Sequence, residues 1–201
     1  YKPVAGGGDL ILEPMAQILA STRTDHDRRI PNEDSQTIEL DHLSLFRIDR
    51  FPGYDLLEGG LRFTAGGRAT VRWSAGRSAS LFIGRSYRFD SIPEFRVPIP
   101  DAPSQLYDPT GLASRASDWV VQADFSPSDR IRGWGHATVD GSGDIRRAEA
   151  SLDGRWGRRN IAGVSYIVDR SNPLSGPLNR NYEFVQLTAQ QFVYGNWGVA
   201  V

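Results

Sequence analysis

From Leu57 to Trp73 the hydrophobic and polar positions of the chain alternate without a break. The odd positions read Leu57, Gly59, Leu61, Phe63, Ala65, Gly67, Ala69, Val71 and Trp73, and the even ones Glu58, Gly60, Arg62, Thr64, Gly66, Arg68, Thr70 and Arg72. Successive side chains of a strand point to opposite faces, so this period of two predicts one long strand with an apolar and a polar side. A helix would spread the arginines around its circumference. The same division returns at Trp119, Val121, Ala123 and Phe125 against Val120, Gln122, Asp124 and Ser126. It is cleanest at Ala148, Ala150, Leu152, Gly154 and Trp156 against Arg147, Glu149, Ser151, Asp153 and Arg155. Further runs at about 9–21, 78–89, 131–140, 160–170, 183–194 and 196–201 bring the expected total to about nine strands. In the run at 78–89, Arg85 interrupts the apolar parity of Leu81, Ile83, Tyr87 and Phe89.

The connections alternate as well. Long segments at about 22–54, 90–118 and 171–182 are separated by short turns near Ala75-Gly76, Pro127-Ser128-Asp129, Gly157-Arg158 and Gly195-Asn196. Only Asp140-Gly141-Ser142-Gly143-Asp144 is a short connection on the long-loop end. Long loops at one end and tight turns at the other are the arrangement of outer-membrane barrels. The 21 glycines and 12 prolines, scattered through the chain, suit turns between extended segments better than long helices. The expected fold class is therefore all-β: an antiparallel transmembrane β-barrel segment of about nine strands, with residues 1–201 forming part of one larger barrel domain.

A soluble two-sheet domain would also alternate, but it would bury its large apolar side chains. The tryptophans discriminate between the two. Trp73, Trp119, Trp156 and Trp197 lie on the apolar parity at strand ends, with residues such as Ala148, Ala150 and Leu152 between the ends. That is the pattern of an aromatic girdle bordering a lipid-facing band. Trp134, on the polar parity, is the exception. Charges at mid-strand on the polar parity suit a wide, water-filled lumen. No stretch approaches the roughly 18 apolar residues that a transmembrane helix needs. Twenty-three basic against 24 acidic residues, a net charge of -1, argue against a nucleic-acid partner, and zero cysteines exclude a disulfide framework or a thiolate metal site. The chain opens at Tyr1 without an initiator methionine and stops at Val201 inside an alternating run, as expected of a fragment.

One ordered series of residues carries a resemblance. Ile30-Pro31-Asn32-Glu33-Asp34-Ser35 is followed by Ile38-Glu39-Leu40-Asp41, Leu45-Phe46, and Phe51-Pro52-Gly53-Tyr54-Asp55 leading into Glu58-Gly59-Gly60. This series resembles the barrel domain of the lipopolysaccharide-assembly outer-membrane protein family LptD, also called OstA. Gly84-Arg85-Ser86-Tyr87-Arg88-Phe89 looks like that family's Gly-Gln-Ser-Tyr-Arg strand, with Arg85 in place of the glutamine. Ser44 stands where the family usually has asparagine, and Leu56-Leu57 where an arginine is expected. The resemblance implies an interior portion of a large barrel in the outer membrane of a Gram-negative bacterium. That barrel would hold a plug lipoprotein of the LptE type and receive lipopolysaccharide from a periplasmic bridge protein through an N-terminal jellyroll domain. It would then insert the lipid into the outer leaflet, with outer-membrane lipid around it. The jellyroll and the barrel-closing strands would lie outside this sequence. A general porin or diffusion channel is the alternative; it shares the alternation but has no reason to carry the Pro31 to Ser35 and Phe51 to Gly60 motifs.

Two groups of residues are candidates for function. Pro31, Asn32, Glu33, Asp34 and Ser35, with Gly53, Asp55, Glu58 and Gly59, mark a long loop at about 23–54 that either folds inward to order or gate the lumen or lies solvated outside. Its apolar residues Leu40, Leu43, Leu45, Phe46, Ile48 and Phe51 favour anchoring. Arg62, Arg68, Arg72, Arg132, Arg147 and Arg155 share the polar parity. They form either a hydrated charge network or a track for the phosphates of a lipid headgroup, since guanidinium pairs well with phosphate. The acidic loop does not have the spacing of a calcium loop, and Asp140 to Asp144 reads as a glycine turn. His26, His42 and His136 are far apart and no serine stands in a nucleophile-elbow context, so neither metal, cofactor nor catalysis is expected.

Overall fold

A computed structural model describes residues 2–4, 7–22, 39–50, 58–91, 95–99, 102–157, 159–171, 181–194 and 197–200. The strands are β1 (Lys2–Val4), β2 (Gly8–Ser21), β3 (Gly60–Arg72), β4 (Ser78–Arg88), β5 (Val97–Ile99), β6 (Ala102–Tyr107), β7 (Trp119–Ser128), β8 (Ile131–Val139), β9 (Ile145–Trp156), β10 (Asn160–Asp169), β11 (Tyr182–Tyr194) and β12 (Trp197–Ala200). Ten of them form one sheet in the order β1-β2-β3-β4-β7-β8-β9-β10-β11-β12, open at both ends, and β5 and β6 pair with each other. Every pairing is antiparallel. The fold is all-β, a meander that fits part of a barrel.

All nine expected strands are present, with three differences. β1 is too short for alternation to register. β5 and β6 lie in the segment read as a loop from 90 to 118; Pro98 and Pro103 fall within them and mask the period, and an isolated two-stranded ribbon tolerates such prolines at its unpaired edges. The strand expected from Leu57 begins only at Gly60, where φ is 90°, a backbone region that favours glycine. Glu58 is therefore outside the sheet, although the sequence alternation runs straight through it.

The register aligns the parities across the sheet. Leu12, Ala69, Leu81, Ala123, Gly135, Ala150, Tyr166 and Val185 form one row. On the opposite face Glu13, Arg68, Phe82, Gln122, His136 and Glu149 form another. Exposure separates the two faces of β4: Leu81 is 51% and Ile83 47% exposed, whereas Phe82 between them is 2% exposed. A sandwich would do the reverse. The buried apolar cluster lies on the polar face, where Leu40, Leu45, Phe95, Leu112 and Ala113 cover Phe82 and Val120, with Met15 and Phe46 at its margin. Among the described residues, the chain thus packs residues 39–50 and 95–118 against the polar face and leaves a continuous apolar face exposed.

Candidate functional site

The site is built where residues 39–50 cross the polar face of β2, β3 and β4. Asp41 starts a tight turn. Its Oδ1 accepts hydrogen bonds from the Leu43 and Ser44 amides at 3.0 and 2.6 Å, while Ser44 Oγ accepts from the Asp41 amide at 2.9 Å and donates to the Glu39 carbonyl at 2.9 Å. This reciprocal arrangement satisfies donors that the turn leaves unpaired. The Leu45 amide then donates to the Asp41 carbonyl and the Arg47 amide to the Ser44 carbonyl, both at 3.0 Å. The turn drives Leu45 onto β4 above Gly84, where a Cβ would stand 2.7 Å from Leu45 Cδ2 and 2.9 Å from Phe82 Cζ. Phe46 meets the edge of Phe82, and its carbonyl accepts from Gln17 Nε2 at 2.9 Å.

Beyond this anchor lies a buried charge cluster. Glu58 accepts from Arg62 Nη1 on one carboxylate oxygen and from Arg88 Nη1 on the other, and Arg50 Nε lies 3.3 Å from Oε2. The four side chains are between 0% and 4% exposed. Arg62 Nη2 donates to the Arg47 carbonyl, Arg88 Nη2 to the Gly59 carbonyl, and Arg50 Nη2 to Ser86 Oγ at 2.7 Å. Three guanidinium groups thus share the Glu58 carboxylate, with Asp49 acting on Arg62 and Asp90 on Arg88 from nearby. Burial lowers the Arg50 guanidinium to about 10, opposed by the attraction of Glu58, so Arg50 remains charged near neutral pH. Bringing these charges out of water is costly, and their mutual geometry must offset that cost.

A second tie runs to the 108–118 segment. The Ser117 amide donates to the Ser86 carbonyl at 2.9 Å and the Ser86 amide to Ser117 Oγ at 3.0 Å. Asp118 follows, its Oδ2 lying 2.8 Å from Arg146 Nε. Burial pushes the Asp118 carboxyl up to about 6; Arg146 opposes the shift, and Asp108 and Asp140 add to it. At the Asp140 to Asp144 hairpin, Asp140 Oδ1 accepts from the Ser142 and Asp144 amides at 2.8 and 3.0 Å, which commits that oxygen to the turn.

Of the loop-motif residues, Pro31, Asn32, Glu33, Asp34, Ser35, Gly53 and Asp55 lie outside the described residues, as do 23–38 and 51–57 generally. Glu58 and Gly59 are at the centre of the cluster. All six polar-parity arginines lie on the polar face, but the structure does not gather them. Arg62 is buried in the cluster. Arg68 faces Glu13 across strands and packs over Phe82, Arg72 faces Asp9, Arg132 faces Asp153 and Arg147 reaches Glu39 at 3.2 Å. Arg155 lies opposite Ile161. Cross-strand acid–base placement of this kind supports register. Sequence reasoning missed Arg50 and Arg88 as partners of Glu58, and Ser86 as the acceptor for Arg50. For Ser86 and Arg88 a signal was there, in the polar parity of the Gly84 to Arg88 strand; for Arg50 there was none.

The sequence matches the family described as LptD, LPS transport system D, over residues 4–198, and the chain belongs to that family. No curated protein matches it.

Glu58→Gln removes the carboxylate that Arg50, Arg62 and Arg88 share and leaves three buried cations. The variant should lose about 3–5 kcal/mol of stability, and a cysteine at Phe46 should react faster with a soluble maleimide. Adding Arg50→Met should recover part of both. Unchanged labelling at Phe46 would show that Glu58 does not hold the loop. Asp118 gives a pH dependence of defined sign. The folded state binds this proton more tightly than the unfolded chain, so the contribution of Asp118 to stability falls as pH rises from about 4 to about 6. Asp118→Asn should flatten the thermal midpoint across that interval relative to the parent protein.

Proposed function

We propose that this chain forms part of the wall of an outer-membrane barrel that delivers lipopolysaccharide to the outer leaflet, and that it performs no catalysis itself. Family membership supports lipopolysaccharide transport and assembly as the general role. The observation that carries the finer reading is the inversion of the two faces. The strands leave Leu81, Ile83 and Leu152 exposed on a continuous apolar side, while the buried cluster and its anchoring loop occupy the polar side. In a lipid-embedded wall the apolar side meets acyl chains and the polar side lines a hydrated lumen.

In this reading the segment at 23–54 folds into the lumen, held at one end by Leu45 and the Glu58 cluster, and stands where a plug lipoprotein of the LptE type would meet it. A periplasmic bridge protein would supply lipid through the N-terminal domain. Arg68, Arg72, Arg132, Arg147 and Arg155 would present cations along the wall to a phosphorylated headgroup. Arg62, with both terminal nitrogens turned to Glu58 and the loop carbonyls, would serve as structure.

Depleting the full-length protein in its own cell is the direct test. Newly made lipopolysaccharide should accumulate in the inner membrane and the periplasmic bridge, and normal surface delivery would reject the proposal. Slowed solute uptake with normal lipid delivery would indicate a diffusion channel. The membrane placement has a separate test in the full-length protein folded into vesicles. Arginine at Leu152, on the apolar face, should cost about 2–4 kcal/mol more than arginine at Ser151 on the polar face. Equal tolerance at the two positions would remove the lipid-facing assignment.

A further inference from the structure

Arg85 stands on the wrong face for a cation. It lies on the parity of Leu81, Ile83 and Tyr87, and its row across the sheet is Ala16, Ala65 and Arg85. Two alanines on that side supply no carboxylate. On the other side is Trp119, the first residue of β7, which pairs with Val139. The guanidinium carbon lies 5.2 Å from the Trp119 ring and 5.7 Å from the Tyr87 ring, so it sits between two aromatic faces. Among the described residues its one hydrogen bond runs from Nε to the Ser117 carbonyl, at 2.6 Å. That bond fixes the plane of the fork and leaves the terminal nitrogens directed elsewhere. A Cβ at Gly141 would stand 3.5 Å from Nη2, so the hairpin residue beside that nitrogen carries no side chain. Asp118, which interacts electrostatically with Arg85, is 2% exposed and engaged by Arg146.

We propose that Arg85, with Tyr87 and Trp119, forms an outward-facing binding site for the phosphate of a membrane lipid in the leaflet at the long-loop end. The proposal rests on the membrane-embedded reading given above. Arg85 is level with the start of β7 and three residues inside the end of β4, at the height of the aromatic girdle. Lipid phosphates lie at that height, and aromatic side chains border them. An arginine there without an anion would be a charge set against an apolar surface. A phosphate oxygen pair matches its remaining donors in number and geometry. The rings on either side exclude water from the pair and would lie along the first carbons of the acyl chains. The phosphate has two sources, a phosphorylated glycolipid of the outer leaflet or a glycerophospholipid, and the chemistry of the site is common to both.

The test uses the full-length protein in its complex. p-Benzoylphenylalanine replaces Phe63, which is exposed on the apolar face directly opposite Tyr87, and a second probe replaces Leu152 far from Arg85. After illumination in the outer membrane, adducts are identified by mass. The Phe63 probe should capture a phosphorylated lipid, and R85Q should reduce that capture about tenfold while capture at Leu152 is unchanged. Undiminished capture at Phe63 in R85Q would overturn the site. Failure of the Leu152 probe to capture any lipid would overturn the membrane reading and the site with it. Should R85Q fail to fold, the unmutated protein gives the same answer in vesicles of defined composition. Bisphosphorylated lipid A or phosphatidylglycerol should each label at Phe63 according to which source is preferred. Dephosphorylated lipid A labelling as well as the bisphosphorylated form, with phosphatidylglycerol no better than a neutral diacylglycerol, would reject the proposal.

Discussion

The Glu58 carboxylate holds the polar face together because it reaches all three of Arg50, Arg62 and Arg88. Arg62 and Arg88 are paired across β3 and β4, and two adjacent guanidinium groups on one sheet would repel each other without an anion between them. Arg50 brings the loop in from the other side. Such a cluster is poor at adding net stability, since each charge loses its hydration on burial. Its value is positional: only one arrangement of loop and strands satisfies the carboxylate and the donors around it. The route of residues 39–50 over the sheet is thereby specified, and with it the position of the Asp41 to Arg47 turn and of Leu45.

The apolar and ionic anchors work in sequence along the loop. Gly84 and Phe82 form the seat for Leu45, which is wholly buried, and the ion cluster begins five residues later at Arg50. Dispersion and water exclusion at the first anchor lower the local dielectric around the second, which strengthens the pairing there. Ser86 joins the two halves, accepting from Arg50 through its hydroxyl while its backbone exchanges hydrogen bonds with Ser117. Segments distant in sequence thus meet on β4. A disturbance at Glu58 would be felt in the 108–118 connection, and through Ser117 at the Arg85 guanidinium on the opposite face.

That opposite face explains how one sheet serves two environments. A strand presents its side chains alternately, so whatever packs against the polar side leaves the apolar side free without conflict. The loops take the polar side, where donors and acceptors on the sheet can satisfy theirs. In the proposed membrane setting the uncovered apolar side is where lipid supplies the missing contacts. Arg85 is the one charged residue on the apolar parity of β4, and its placement between aromatic rings near the strand end is where such a departure is least costly.

The sequence alone determined the strands and their two faces. A period of two is a local property of the pleat, so Leu57 to Trp73, Trp119 to Phe125 and Arg147 to Trp156 could be read residue by residue, and loop lengths gave the meander its two unlike ends. The family, too, was legible in the motifs from Ile30 to Gly60. Gly60 shows where local reading stops. The alternation ran through it, yet the strand begins at this residue of positive φ, and Glu58 lies outside the ladder with its carboxylate folded back onto Arg62 and Arg88. The tertiary structure alone decided what Glu58 meets, because Arg88 lies 30 residues from it and no periodicity links a loop to a strand at that separation. It likewise decided that the polar-parity arginines serve different neighbours: a shared face fixes direction, whereas contact depends on register, on the loops above and on which charge is buried beside which.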